Sequence, residues 1–135
     1  MVVSGNIAKY VLDSSFVLSF LFPDEHSAIV DEYFDQYDLG MSMFLSSGVL
    51  SFEVMNGLLN AIKRKRIDQK KATILLKGFT NLRILYEPID ETTIFRLARE
   101  KSLTIYDASY LAIALKYKVP LLTFDKHLKP FSQSL

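Results

Sequence analysis

The 135-residue sequence has no cysteine, only two histidines, five glycines and four prolines, and almost no net charge. Without thiols, disulfides, thiolate catalysis and sulfur-ligated zinc are all excluded. The absence of cysteine suits a reducing compartment but does not assign one. His26 and His127 lie far apart in sequence, and no nucleophile elbow accompanies either, so a Ser–His–Asp triad finds no support. Lys and Arg number 16 against 15 Asp and Glu, a formal net charge of +1. No global field therefore draws the chain onto nucleic acid, and any such binding must use local patches. No segment reaches the roughly 18 uninterrupted apolar residues of a membrane span. The apolar run Phe16 to Phe22 lacks a signal peptide's flanks: only Lys9 precedes it as a positive charge, Asp13 breaks the stretch leading into it, and no small-residue cleavage site follows. A soluble, cytoplasmic protein is expected.

Half of the residues are hydrophobic, well above what disorder permits. There is no repeat, low-complexity stretch or long linker. The length fits a single domain over residues 1–135 that buries roughly two-thirds of its unfolded surface.

Periodicity predicts alternating strands and helices. Tyr10 to Leu12 reads as a buried strand, followed by a helix from Ser14 to Leu21 that Pro23 ends. Asp24 to Tyr37 starts with acids and carries Ile29, Val30, Tyr33, Phe34 and Tyr37 at helical spacing. Met43 to Leu45 is a weak strand. Val49 to Arg66 is the clearest helix, with Met55, Leu58, Leu59 and Ile62 in one apolar stripe. Gln69 to Gly78 forms another helix after the break at Ile67-Asp68. Leu82 to Tyr86 (strand), Glu91 to Lys101 (helix), Tyr106 to Tyr117 (helix) and Pro120 to Phe124 (strand) complete the chain. Such alternation implies an α/β fold with a parallel sheet covered on both faces. In such folds, sites form beyond the carboxyl ends of the strands.

Four acids fall at or near that edge: Asp13, Glu53, Asp107 and Asp125. Each has an ordinary alternative. Asp13 can cap the helix after it, although Ser14 and Ser15 are also available for that. Glu53 shares a helix face with Asn56, Gly57, Asn60 and Arg64, which suits either plain solvent or a cleft. Asp107 lies on a helix that is apolar almost all round, with only Ser109 and Lys116 marking a solvated side. Its alternative is the capping box Thr104-x-x-Asp107. Asp125 can cap the segment Lys126-His127-Leu128, and Thr123 alternates onto the same side. Taken together, four caps have no reason to converge on one edge. Like charges about 5 Å apart repel by about 3 kcal/mol per pair at an effective dielectric of 20. Uncompensated, their pKa values rise. Mg²⁺ or Mn²⁺, which prefer all-oxygen ligands, would relieve the repulsion. The pattern points to a metal site and phosphodiester chemistry.

The segments YVLDSSFVLSFLF (10–22), LSFEVMNGLLNAIKRKRI (50–67), LTIYDASYLAIALKY (103–117) and LLTFDKHL (121–128) resemble the PIN-domain nucleases, and most closely the VapC-type ribonuclease toxins of prokaryotic toxin–antitoxin pairs. The blocks occur in the family's order and span nearly the whole chain. Asp107-Ala108 at the head of an alanine-containing helix is the most specific of them. The resemblance implies a three-layer α/β/α sandwich around a central parallel sheet, with Asp13, Glu53, Asp107 and Asp125 as catalytic residues around Mg²⁺ or Mn²⁺. Ser14 and Thr123 match positions where hydroxyls support the acids. Many members carry a further Asp or Asn two residues after the last acid. Here that position is His127, which weakens the case for a second metal.

The chemistry so implied is metal-assisted hydrolysis of RNA, leaving 5′-phosphate and 3′-hydroxyl ends, with no side chain acting as nucleophile. Lys63-Arg64-Lys65-Arg66 with Lys70-Lys71 is the one basic cluster. It either complements a helix C-terminus or forms a phosphate-contacting rim, with Lys63 and Arg64 as RNA-binding candidates and Arg64 sharing the Glu53 face. Tyr106 offers a ring for stacking an unpaired base. A homodimer and a cognate antitoxin are implied by the resemblance. The rival on the same fold is a non-catalytic RNA-binding or scaffolding module. A phosphoacceptor receiver domain is disfavoured, because Ser14 follows Asp13 where a paired acid is needed and Glu53 lies within a helix.

Overall fold

In the structure, a computed structural model, residues 7–132 are described. The single-domain expectation for residues 1–135 extends beyond them at both ends. Four strands, β1 (Ala8–Leu12), β2 (Ser42–Ser47), β3 (Ile84–Glu87) and β4 (Leu121–Leu122), form one sheet in the order β3-β2-β1-β4. All three strand pairings are parallel. Their connections carry six α-helices: α1 (Ser14–Leu21), α2 (Ala28–Asp38), α3 (Val49–Lys63), α4 (Gln69–Thr80), α5 (Glu91–Lys101) and α6 (Ile105–Tyr117). Helices α1 to α4 pack among themselves, whereas α5 pairs with α6, and α6 lies along β1, β2 and β4.

Successive strand residues point to opposite faces, yet both Val11 and Leu12 are buried, as are Phe44 and its neighbour Leu45. Both faces of the sheet are therefore covered, which gives the three-layer α/β/α sandwich and explains strands that read as continuous apolar runs. Phe34 of α2 meets Phe44 at 5.1 Å between ring centroids, locking that helix onto β2. Each fully buried Leu or Phe of this core contributes roughly 1.5–3 kcal/mol.

The helices begin where side chains can accept the first free amides. Asp13, Ser27, Asp68, Asp90 and Thr104 cap α1, α2, α4, α5 and α6 respectively. Several boundaries differ from the expected ones. The segment expected as a helix from Asp24 instead opens with a 3₁₀ turn, Pro23–Glu25, and the helix starts at Ala28. Pro23 opens that turn and Ser27 caps the helix after it, while Arg66 binds both Asp24, at 2.8 Å, and Glu25, at 2.7 Å, with its guanidinium over Phe22. The expected strand Pro120 to Phe124 is reduced to Leu121–Leu122, because β4 is an edge strand paired only with β1. The buried face of α3 is Leu50, Val54, Leu58 and Ala61. Met55 and Leu59 of the expected stripe are exposed. Ser109, expected on a solvated side of α6, is buried, and its hydroxyl donates to the Tyr106 carbonyl at 2.6 Å.

Candidate functional site

Parallel strands deliver all their carboxyl ends to one edge, and the residues just beyond β1 and β4 meet there. Asp13 follows β1 directly and is 2% exposed. Its Oδ1 accepts the Phe16 amide at 3.0 Å, capping α1, and the Ser15 hydroxyl at 2.7 Å. The carboxylate, not the neighbouring serines, is thus the cap. Its Oδ2 accepts the hydroxyl of Thr123, whose own oxygen accepts the Asp125 amide at 2.9 Å. Thr123 is fully buried, so this relay fixes the end of β4 against the end of β1 without water. Ser15 adds a second tie by accepting the Phe124 amide at 2.9 Å.

Asp125 then forms a tight turn, its Oδ1 accepting the His127 amide at 2.7 Å. Glu53 projects from the second turn of α3, and its Oε1 accepts two hydroxyls, Ser14 at 3.1 Å and Tyr110 at 2.6 Å. Asp107 stands in the first turn of α6, where its amide donates to the Thr104 hydroxyl at 3.0 Å. The structure thus brings all four sequence-derived acids to one edge, with the supporting hydroxyls of Ser14 on Glu53 and Thr123 on Asp13. It also adds Tyr110 and Ser15, which sequence reasoning did not assign. A signal for Tyr110 existed: a phenol in a nearly all-apolar helix must find a partner when buried.

The electrostatics follow from this crowding. Burial pushes the Asp13 carboxyl up to about 6, with Asp125 adding to the rise and hydrogen bonds from Thr123, Ser15 and Phe16 opposing it. Asp107 is also raised, first by burial and then by Asp125 and Glu53, against the lowering influence of Thr104 and His127. Burial and the Glu53 carboxylate hold the Tyr110 phenol far above its ordinary range, so it remains a donor. Asp125 thus contributes to the rise at both Asp13 and Asp107, and Glu53 to that at Asp107.

A groove runs away from these acids between α1 and α3, lined by Ser15, Leu18, Gly57, Asn60, Arg64 and Phe124, among others. Gly57 sets its width. A Cβ there would lie 2.6 Å from Leu18 Cδ1, so glycine permits the close approach of the two helices. The face shared by Glu53, Gly57, Asn60 and Arg64 is therefore a cleft and not plain solvent. The basic cluster is divided: Arg64 caps α3, Arg64 and Arg66 both line the groove with Arg66 paired to Asp24 and Glu25, and Lys63 is exposed at the last turn of α3. Tyr106 is 56% exposed beside Asp107.

Comparison with known proteins is consistent with this architecture. Ribonuclease VapC3 from Pyrobaculum aerophilum is 27% identical over 124 residues, covering 89% of this chain and 92% of that protein. The crystal structure of PAE2754 from the same organism superposes with a TM-score of 0.73 at 23% identity, over 94% of this chain and 87% of the other. Mycobacterium tuberculosis VapC20, described as a sarcin-ricin loop cleaving toxin, gives a TM-score of 0.62 at 12% identity, over 90% of this chain and 94% of that one. The family model of the PIN domain matches residues 10–132, nearly the whole sequence. The chain therefore belongs to the PIN domain family.

Proposed function

We propose that the protein is a metal-dependent endoribonuclease of the VapC type, its single domain using Asp13, Glu53, Asp107 and Asp125 to hold Mg²⁺ or Mn²⁺. The observation that carries this reading is the mutual crowding of four acids at the carboxyl edge of the sheet, two of them with raised pKa values. The donor set fits a divalent cation, because oxygen donors with disfavoured charge are what a hard cation stabilises. When bound, such an ion supplies hydroxide from water near neutral pH and offsets charge on the phosphate. The chain's own residues orient the carboxylates. Thr123 and Ser15 fix Asp13, while Tyr110 and Ser14 both bond Oε1 of Glu53, leaving Oε2 without those contacts.

RNA is the proposed substrate, with Arg64, and Lys63 beside it, contacting phosphates along the groove. The names of the relatives support ribonuclease over other phosphodiesterase activities. A toxin role implies a cognate antitoxin, and a homodimer is proposed as well. The apolar side chains left exposed on α3 (Phe52, Met55, Leu59) and near α5 (Phe95, Ile105) support protein partners. A small DNA-binding-like protein encoded immediately upstream would strengthen the antitoxin reading.

End-labelled RNA incubated with the protein should be cut in Mn²⁺ or Mg²⁺ and left intact in EDTA, giving 5′-phosphate and 3′-hydroxyl ends. RNA binding without cleavage under every metal condition would instead favour the non-catalytic module. Tyr110→Phe should retain the fold, with a stability change near about 1 kcal/mol for one lost hydrogen bond. Cleavage should fall by about tenfold or more, the scale expected when a metal-centre carboxylate loses the group that orients it. Unchanged kcat in that variant would remove Tyr110 from the machinery.

A further inference from the structure

Among the described residues, one group of three metal-competent side chains brings a ligand atom from each to within 4.8 Å of the others: Asp107, Asp125 and His127. The third member is neither an oxygen donor nor one of the four acids. Its place is set by the turn at Asp125, where the His127 amide bonds Oδ1 at 2.7 Å and the ring Nδ1 lies 3.5 Å from that same oxygen. The ring also lies close enough to Asp107 to favour the charged form of that carboxyl. Asp13 is engaged differently: both its oxygens already accept protein hydrogen bonds. Glu53 is likewise tied down through Oε1.

We infer that His127 supplies a nitrogen ligand to the cation held by Asp107 and Asp125, so that the centre is a mixed nitrogen–oxygen site selecting Mn²⁺ over Mg²⁺. This rests on the reading of the site as a metal centre and adds to it the identity of the ion. Mg²⁺ is small, holds its water tightly and takes oxygen ligands almost exclusively. Imidazole is a ligand for transition ions, and of the two ions proposed for the site, both suited to carboxylates and water, Mn²⁺ is the transition ion. His127 occupies a position where an Asp or Asn would have kept the site all-oxygen. The substitution thus changes the donor chemistry and does not simply delete a ligand. The side chain is 63% exposed, so its replacement does not disturb the core.

The test uses the full chain stripped of metal and titrated calorimetrically with Mn²⁺ and, separately, Mg²⁺. The Mn²⁺-loaded protein is also measured by electron spin-echo envelope modulation. The wild type should bind Mn²⁺ the more tightly and show ¹⁴N coupling to the ion. His127→Asn should abolish that coupling and weaken Mn²⁺ binding by about tenfold or more, with Mg²⁺ affinity changed by less than about twofold. His127→Asp should narrow the Mn²⁺ to Mg²⁺ ratio by restoring an oxygen donor. Binding of Mn²⁺ without nitrogen coupling overturns the inference and leaves the metal centre standing. Failure of the wild type to bind either ion overturns both.

Discussion

Asp107→Asn is expected to lower metal-dependent RNA cleavage by about a thousandfold or more while the protein remains folded. Asp107 is a charge on a helix that is apolar almost all round. It is half-buried on a helix whose adjoining residues Ala108, Ser109, Tyr110 and Leu111 are all buried. Removing its charge withdraws a ligand from the proposed cation. The ion's stabilisation of developing charge is worth several kcal/mol, and each 1.36 kcal/mol corresponds to about tenfold in rate. Stability should move the other way or not at all, because burial, Asp125 and Glu53 already disfavour the charged form of Asp107. Asparagine keeps the side-chain volume, and the amide bond to Thr104 belongs to the backbone and survives. The comparison requires wild type and variant cleavage in Mn²⁺ beside their thermal melts. Full activity in a folded Asp107→Asn protein would dispose of the site as described.

Asp13→Asn should show a trade between stability and activity. The wild-type carboxyl is pushed up to about 6 by burial, from an ordinary value of 3.8. Between those values the folded chain holds a proton that the unfolded chain has released, so stability of the metal-free protein falls as pH rises through this window. Below the ordinary value the contribution is fully present. Above about 6 the ionised group costs roughly 3 kcal/mol, since each tenfold change in proton affinity is worth about 1.36 kcal/mol. Asparagine does not ionise. Its oxygen can still accept from Phe16 and Ser15, but its amide nitrogen cannot accept the Thr123 hydroxyl, which returns about 1–2 kcal/mol of the gain. The variant should therefore melt a few degrees above the wild type at pH 7.5 in EDTA, about 2–4 °C per kcal/mol, and lose that advantage near pH 4. It should also lose cleavage, as expected where a strained site is kept for function. Mn²⁺ should raise the melting temperature of the wild type much more than that of the variant. Parallel pH dependences of the two metal-free proteins between pH 4 and 6.5 would show that the buried carboxylate does not titrate there.

These expectations draw on different layers of information. The positions of Asp13 and Asp125 were legible because a short apolar run ending in an acid is a local pattern, and a parallel sheet sends every such end to one edge. Asp107 was legible because a charge on an all-apolar helix face conflicts with its surroundings. The helices themselves were legible to within a few residues, since their spacing depends on near neighbours.

Burial depended on what lay across the fold. On α3 the apolar pattern pointed to a stripe through Met55, Leu58, Leu59 and Ile62, whereas the buried face runs through Leu50, Val54, Leu58 and Ala61. Contact with α1 and α4 decided which was buried. Arg66 was one of six basic residues in the sequence, and only the fold pairs it with Asp24 and Glu25, some forty positions away, at the edge of the groove.

The sequence by itself determined the alternation of strands and helices, the parallel α/β class and the placement of Asp13 and Asp125 at strand ends, because each rests on residue type and short-range spacing. Only the tertiary structure decided which hydroxyl serves which carboxylate, that Tyr110 holds Glu53 across 57 positions, that Gly57 opens a groove against Leu18, and that His127 joins Asp107 and Asp125. The physical reason is range. Periodicity records the period of one element, whereas hydrogen-bond partnership, desolvation and donor geometry are fixed by residues that meet only after the sheet has assembled.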